Sequence, residues 1–116
     1  MGPEEEWRAA LGEGRFLLQR ARASGTWFFP PRMAEPGTGD RDWEWIEASG
    51  EGVVHSVTVV HPRPPAPPYN VALVDLAEGP RMMSRVEGAG PVAIGMKVRA
   101  RIERGGGEPI ILFDPA

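Results

Sequence analysis

The chain contains no cysteine, a single lysine, a single tyrosine and only two histidines among its 116 residues. Without cysteine there are no disulfides, no thiolate metal ligands and no thiol nucleophile, and the redox compartment stays open because a thiol-free chain is compatible with any of them. No run approaches the ~20 apolar residues of a membrane-spanning helix. The opening residues Met1-Gly2-Pro3-Glu4-Glu5-Glu6 are acidic, where a secretory signal would be basic and then apolar. A cytoplasmic protein without membrane association is the expectation. Positive charge is scarce as well: a net charge of −3 and a pI near 5.4 oppose a general nucleic-acid binder, whose affinity comes from neutralising phosphates. The cations are 12 arginines against the one lysine. That ratio reflects either a use for planar guanidinium forks on phosphates and carboxylates or the codon bias of a GC-rich genome.

Glycine and proline, by contrast, are abundant at 15 and 13 residues, which would suit a disordered chain were 41% of the residues not hydrophobic and gathered in runs. The composition therefore predicts one small, turn-rich folded unit or two very small ones. A chain of this length buries about two thirds of the surface its extended form exposes, so its reserve of stability is small.

Up to Arg22 the spacing is helical: Trp7, Ala10 and Leu11 recur at three and four residues and Phe16, Leu17 and Leu18 follow, with Gly12 and Gly14 dividing the stretch into two short helices. Residues 25–42 change character, since Pro30, Pro31, Pro36, Gly37 and Gly39 exclude a long helix. Trp27, Phe28 and Phe29 before this loop, and Trp43 and Trp45 after it, read as short strands. From Gly50 onward the pattern is all strand. Residues 52–61 are dense in β-branched side chains, 69–76 carry Val71, Leu73, Val74 and Leu76, and 81–87 follow a turn at Glu78-Gly79-Pro80. Residues 97–103 alternate cleanly, and 109–113 follow the Gly105-Gly106-Gly107 turn. Five strands, the first long and valine-rich, predict a mainly β protein whose residues 49–116 form a five-stranded OB-fold barrel, preceded by residues 1–48 as a helical lead and an irregular segment. A β-sandwich would want about seven strands.

No set of residues suited to catalysis emerges. His55 and His61 lie on one predicted strand, about 20 Å apart at roughly 3.3 Å per residue, and cannot share a metal ion. Ser24, Ser49, Ser56 and Ser84 include no nucleophile elbow, and adjacent His55 and Ser56 point to opposite faces of a strand. Asp75, flanked by Val71, Leu73, Val74 and Leu76, reads as a satisfied half-buried carboxylate or a strand-end group. No glycine-rich phosphate loop is present. What remains is surface. Trp27-Phe28-Phe29-Pro30-Pro31-Arg32 and the arm His61-Pro62-Arg63-Pro64-Pro65-Ala66-Pro67-Pro68-Tyr69 offer aromatic and arginine side chains on stiff backbone. They suit protein partners or an anionic ligand such as a coenzyme, unless the prolines merely stiffen a long barrel loop.

The chain resembles a known family, the acyl-CoA-associated OB-fold proteins, long classed as a domain of unknown function, in which a helical lead and a rubredoxin-like zinc ribbon precede an OB-fold. The residues carrying the resemblance are Phe16-Leu17-Leu18-Gln19-Arg20, Gly25-Thr26, Phe29-Pro30-Pro31-Arg32, Trp43 through Gly52, Val57-Thr58-Val59-Val60-His61, Val71-Ala72-Leu73-Val74-Asp75-Leu76 with Glu78-Gly79-Pro80-Arg81, and Ile94-Gly95-Met96-Lys97-Val98. The family's four zinc cysteines fall on Ala21, Ser24, Glu35 and Thr38, so both knuckles keep their two-residue gap and lose every thiolate. The resemblance thus implies a ribbon without its metal, supported instead by the aromatic cluster Trp27, Phe28, Phe29, Trp43 and Trp45 and by a partner. It further implies a non-catalytic subunit of a thiolase-like or MaoC-like acyl-CoA enzyme in lipid or sterol side-chain metabolism. On that basis Trp27, Phe29, Pro31, Arg32, Arg63 and Tyr69 are the expected contacts to the partner or to acyl-CoA. No catalytic residue, metal or tightly bound cofactor is expected, a direct contact with coenzyme A and homo-oligomerisation are left open, and nucleic acid is disfavoured. The alternative is a nucleic-acid-binding OB module with Arg81, Arg85, Arg99 and Arg101 as a basic face. A small thioesterase would need a nucleophile that the sequence does not offer.

Overall fold

The computed structural model describes residues 2–88 and 90–116. One helix, α1 (Pro3–Gly12), opens the chain. Proline in its first turn needs no hydrogen-bonded N–H, and Glu4, Glu5 and Glu6 face the positive end of the helix dipole. The helix ends where Gly14 takes φ +82°, a left-handed conformation that glycine adopts without steric cost, and Arg15 N–H donates back to the Ala10 carbonyl. The expected second helix is absent. Leu17–Ala21 is strand β1, and its consecutive buried residues Leu17, Leu18 and Gln19 show why the spacing misleads: a strand covered on both faces loses its two-residue alternation. It lies between β2 (Trp27–Phe28) and β3 (Trp43–Glu47) in an antiparallel sheet of order β2-β1-β3.

The remaining strands are β4 (Glu51–Val60), β5 (Tyr69–Leu76), β6 (Arg81–Ser84), β7 (Lys97–Glu103) and β8 (Ile110–Pro115), in the order β6-β5-β4-β7-β8 with all neighbours antiparallel. Two strands depart from expectation at their ends. β6 stops at Ser84, and Val86 then makes a lone parallel bridge to Phe113, while β8 runs on to Pro115. That bridge closes the barrel: Phe113 N–H donates to the Arg85 carbonyl at 3.0 Å, and Glu87 N–H donates to the Phe113 carbonyl at 2.8 Å. A five-stranded sheet closed by a parallel contact between its third and fifth strands is an OB-fold.

β4 is long because it serves two neighbours. Its first three residues pair with β7, and most of its length pairs with β5, across a bulge at His55 that bends the strand around the barrel. Gly52 sits between Leu76 and Val98 on the two adjacent strands, where a Cβ would come within 2.6 Å of Val74 Cγ1 and 3.0 Å of the Asp75 carbonyl oxygen. Barrel and N-terminal sheet share one core. Leu11, Phe16 and Leu18 join Val54, Val74, Val98 and Phe113 in a single buried cluster, with Trp7, Trp27 and Phe29 packed on its margin. No helix among the described residues is long and apolar enough to cross a membrane.

The Gly52 contact makes a direct prediction. Gly52→Ala should destabilise the chain by about 1–3 kcal/mol through overpacking, lowering the thermal midpoint by about 4–8 °C per kcal/mol. Gly106→Ala, placed where a Cβ meets nothing within 4 Å, should leave the midpoint within error.

Candidate functional site

The N-terminal sheet carries two turns of the same construction. In the first, Gly25 N–H donates to the Ala21 carbonyl at 2.9 Å and Thr26 N–H to Ser24 Oγ at 3.2 Å; in the second, Gly39 N–H donates to the Glu35 carbonyl at 2.9 Å and Asp40 N–H to Thr38 Oγ1 at 3.2 Å. Gly25 and Gly39 take nearly the same left-handed conformation, φ +73° and +74°. Two such knuckles on a three-stranded sheet are the frame of a zinc ribbon.

The side chains within that frame do not fit zinc. The ion requires deprotonated sulfur, imidazole or carboxylate donors, whereas Ala21 offers none and Ser24 and Thr38 offer neutral hydroxyls. Both oxygens of Glu35 already accept hydrogen bonds, from Ser24 Oγ to Oε2 and from Thr38 Oγ1 to Oε1, each at 2.8 Å. The hydroxyls of Thr38, Ser24 and Thr26 hold this buried carboxyl below the usual carboxylate range, outweighing the opposing effect of desolvation. Among the described residues no three of histidine, aspartate and glutamate lie together as a metal site.

The expected aromatic cluster is divided rather than continuous. Phe29 packs on Trp7 with ring centroids 5.5 Å apart, Trp43 meets Trp45 edge-on at 5.3 Å, and Trp27 lies beneath the Arg20 guanidinium at 5.6 Å. Alternation of a short strand sends Trp27 and Phe28 to opposite faces, so Phe28 is buried while Trp27 stays half-exposed. Pro31 is half-buried and the Arg32 side chain is exposed on a backbone that Gln19 fixes twice: Nε2 donates to the Arg32 carbonyl at 2.6 Å and Oε1 accepts from its N–H at 2.8 Å. Gln19 itself is 1% exposed. The sequence marks Gln19 and Glu35 by resemblance alone, without their bonding roles; the signals for those roles are a glutamine inside an apolar run and a glutamate three residues from a threonine at a knuckle position.

Arg63 and Tyr69 lie at a different place: Arg63 on the loop joining β4 to β5, and Tyr69 at the start of β5, paired with Val60. Arg63 is exposed, and Tyr69 is capped by the Arg85 guanidinium 4.8 Å from its ring centroid. Beside it runs a groove of about 330 Å³ lined by Tyr69, Val71, Met83, Arg85 and Ile110, in which Met83 and Ile110 are 68% and 50% exposed. A second cleft, of about 420 Å³, lies over Val53, Asp75, Lys97 and Arg99. At its edge Asp75 accepts from Arg81 Nε at 2.6 Å and stands 3.2 Å from His55 Nδ1. The Arg81 bond, more than the histidine, holds the Asp75 carboxyl below its ordinary range. No hydroxyl is hydrogen-bonded to His55 among the described residues, so this group is an ion-paired surface cluster without a nucleophile.

The arginines sort into two kinds. Arg81 faces Asp75, Arg85 faces Glu87, Arg99 faces Glu51, and Arg101 binds Glu87, Glu103 and Asp114 at 2.8–3.0 Å. These four, the basic face of the nucleic-acid alternative, are each matched by a carboxylate. Arg8, Arg15 and Arg22 are paired with carboxylates as well, whereas Arg32 and Arg63, like Arg20, Arg41 and Arg104, have no carboxylate partner among the described residues.

The three-stranded sheet with its two knuckles, standing on a five-stranded barrel, defines an OB-fold protein with an N-terminal ribbon-like extension. Residues 45–103 match the family model described as "ChsH2, C-terminal OB-fold domain". The chain belongs to this DUF35 family of OB-fold proteins. Over 117 residues it is 34% identical to a DUF35 domain-containing scaffold protein of Methanocaldococcus jannaschii, covering 92% of this chain and 83% of that protein. It is 41% identical over 98 residues to a probable enoyl-CoA hydratase alpha subunit of Thermomonospora curvata, which covers 79% of this chain but only 30% of that subunit. The solved structure of an Ltp2-ChsH2(DUF35) aldolase contains a chain that superimposes with a TM-score of 0.83 at 36% identity, covering 97% of this chain and 94% of that one. A DUF35 protein of unknown function from Sulfolobus solfataricus, 18% identical with a TM-score of 0.71 over 97% of this chain and 84% of that one, shares the fold.

Gln19→Leu should remove both bonds to the Arg32 backbone and cost about 1–3 kcal/mol, since the partly buried Arg32 N–H and carbonyl lose their partners. Hydrogen exchange at the Arg32 amide should accelerate before global unfolding does, while barrel amides near Phe113 keep their protection.

Proposed function

We propose that the protein is a non-catalytic subunit that binds a thiolase-like acyl-CoA enzyme of lipid or sterol side-chain metabolism and borders its acyl-CoA site. The observation that carries this is the near-complete correspondence with the ChsH2(DUF35) chain of an aldolase named for its Ltp2 partner. The hydratase subunits add support from a second kind of acyl-CoA enzyme: besides the Thermomonospora protein, a 3-oxo-4,17-pregnadiene-20-carboxyl-CoA hydratase alpha subunit of Mycobacterium tuberculosis is 48% identical over 62 residues, covering 48% of this chain and 20% of that subunit. A MaoC-like hydratase is accordingly the second partner type. The cytoplasmic setting expected from the sequence belongs to the same proposal.

The chemistry of the surface agrees with that role. Unpaired Arg32 and Arg63 can accept the phosphates or carboxylates of a partner or of coenzyme A without first breaking an internal ion pair. Trp27, Phe29 and Pro31 present a rigid edge beside Arg32, and Tyr69 offers a ring already oriented by Arg85.

Co-expression with a thiolase-like enzyme from the same organism should yield a complex that survives size-exclusion chromatography, while the isolated chain should turn over no acyl-CoA. Arg32→Glu, Arg63→Glu and Tyr69→Ala alter exposed side chains, and each should weaken the complex about tenfold or more, about 1.4 kcal/mol, with an unchanged thermal midpoint. A chain that elutes alone from every such enzyme would overturn the proposal.

A further inference from the structure

A ribbon frame whose four metal positions hold no thiolate still needs something to tie its knuckles together. The second knuckle is a loop between two strands, residues 29–42, and loops of that length do not hold one conformation on turn chemistry alone. The aromatic side chains do not supply the tie, because they form separate pairs with α1, with each other and with Arg20. A cross-link is nevertheless present at the metal positions. Glu35, 6% exposed, lies at the head of the second knuckle, and its carboxylate spans the gap to the first. One oxygen accepts from Ser24, the fourth residue of the first knuckle, and the other from Thr38, the fourth residue of its own.

We propose that the Glu35 carboxylate, clamped between the hydroxyls of Ser24 and Thr38, has taken over the cross-link that a zinc ion makes in a ribbon of this shape. The two devices share a logic. A zinc ion is a buried cation ringed by anionic donors, and this cluster is a buried anion ringed by neutral hydrogen-bond donors; each joins both knuckles through one charged centre. O–H···O⁻ bonds are charge-assisted and roughly twice as strong as neutral ones, and a carboxylate left in such a place without its hydroxyls would be an uncompensated buried charge. The knuckle backbones need no change for the exchange. The Ala21 and Glu35 carbonyls accept the Gly25 and Gly39 N–H groups in the same way in both turns, and Ser24 and Thr38 accept the Thr26 and Asp40 N–H groups. Two consequences follow: the ribbon is independent of zinc, and the positions remain close enough to form a zinc site if the thiolates are put back. This inference does not depend on the partner or on acyl-CoA.

The test uses the full chain in three forms. The natural chain should purify without stoichiometric zinc and melt at the same temperature in chelator as in added zinc. Glu35→Gln keeps the shape and removes the charge, and Glu35→Ala removes the bridge; the first should lower the midpoint by several degrees and the second by more, with accelerated exchange at the Thr26 and Asp40 amides. The quadruple variant A21C/S24C/E35C/T38C should bind one zinc ion per chain, take up cobalt with the absorption of a tetrahedral thiolate site, and melt cooperatively only with metal present. One tightly held zinc ion in the natural chain, wild-type midpoints for both Glu35 variants, or a quadruple variant that gives no tetrahedral cobalt spectrum when refolded with the metal would each overturn the proposal.

Discussion

Everything in this molecule depends on strand β1 being buried from both sides. Leu18 and the preceding Phe16 belong to the barrel core together with Val54, Val74, Val98 and Phe113. On the same strand Gln19, 1% exposed, binds the Arg32 backbone in the loop that carries the second knuckle. A three-stranded sheet of two-, five- and five-residue strands has too little apolar area to be stable alone. By sharing a core it borrows the barrel's. The sharing also fixes the orientation of the ribbon, since Ala48 N–H donates to the Phe16 carbonyl where the chain passes from ribbon to barrel. The aromatic edge near Trp27 and Phe29 is therefore held by the barrel rather than hinged to it.

With no disulfide and no fitted metal, polar groups take the place of covalent staples, and they do so by a repeated device: one charged or amide centre that satisfies several partners at once. Gln19 serves both backbone groups of Arg32. Glu35 serves two knuckles. Arg101 gathers Glu87, Glu103 and Asp114, and these carboxylates, that of Asp114 foremost, push its guanidinium pKa further up. Arg101 is partly exposed, so solvent screens what this network adds to stability. It does bring together β7, β8 and the segment after β6 that closes the barrel. The buried centres matter more, because a group that loses its partner there has no water to replace it.

The barrel was legible in the chain because its strands keep a wet side. Residues 97–103 alternate, and the structure puts Val98 inside and Lys97 and Arg99 outside. The knuckle positions were legible by resemblance, down to the four residues standing where thiolates would. β1 was not, because Phe16-Leu17-Leu18-Gln19 has no alternation to read once both faces are covered, and three apolar residues in a row fit a helix as well as a strand. The roles of Gln19 and Glu35 were hidden for another reason. Each binds across 11 to 13 residues of chain to a group whose position is settled only by the fold, so their residue types alone suggest solvated side chains. The exposure of Arg32 and Arg63 follows from their proline-rich loops and that of Tyr69 from its place at the start of β5, whereas the packing of Phe29 on Trp7 joins residues 22 apart and is settled only by the fold.

The distribution of charge says what kind of surface this is. Carboxylates outnumber cations, 16 to 13, so an arginine left without one is not short of available partners. Arg81, Arg85, Arg99 and Arg101 take theirs on the barrel. Arg32 and Arg63 sit on the two proline-rich loops, where backbone stiffness keeps them from folding back onto the acidic faces. Proline on such loops would be a poor choice for an enzyme that must close over a substrate, since closing needs backbone torsions free to change. For the binding role proposed above the same stiffness is an advantage, because a contact with a partner is then formed with little ordering left to do. The fold and the stiff loops that carry Arg32 and Arg63 thus present a surface ordered in advance, which is the property the proposed binding role draws on.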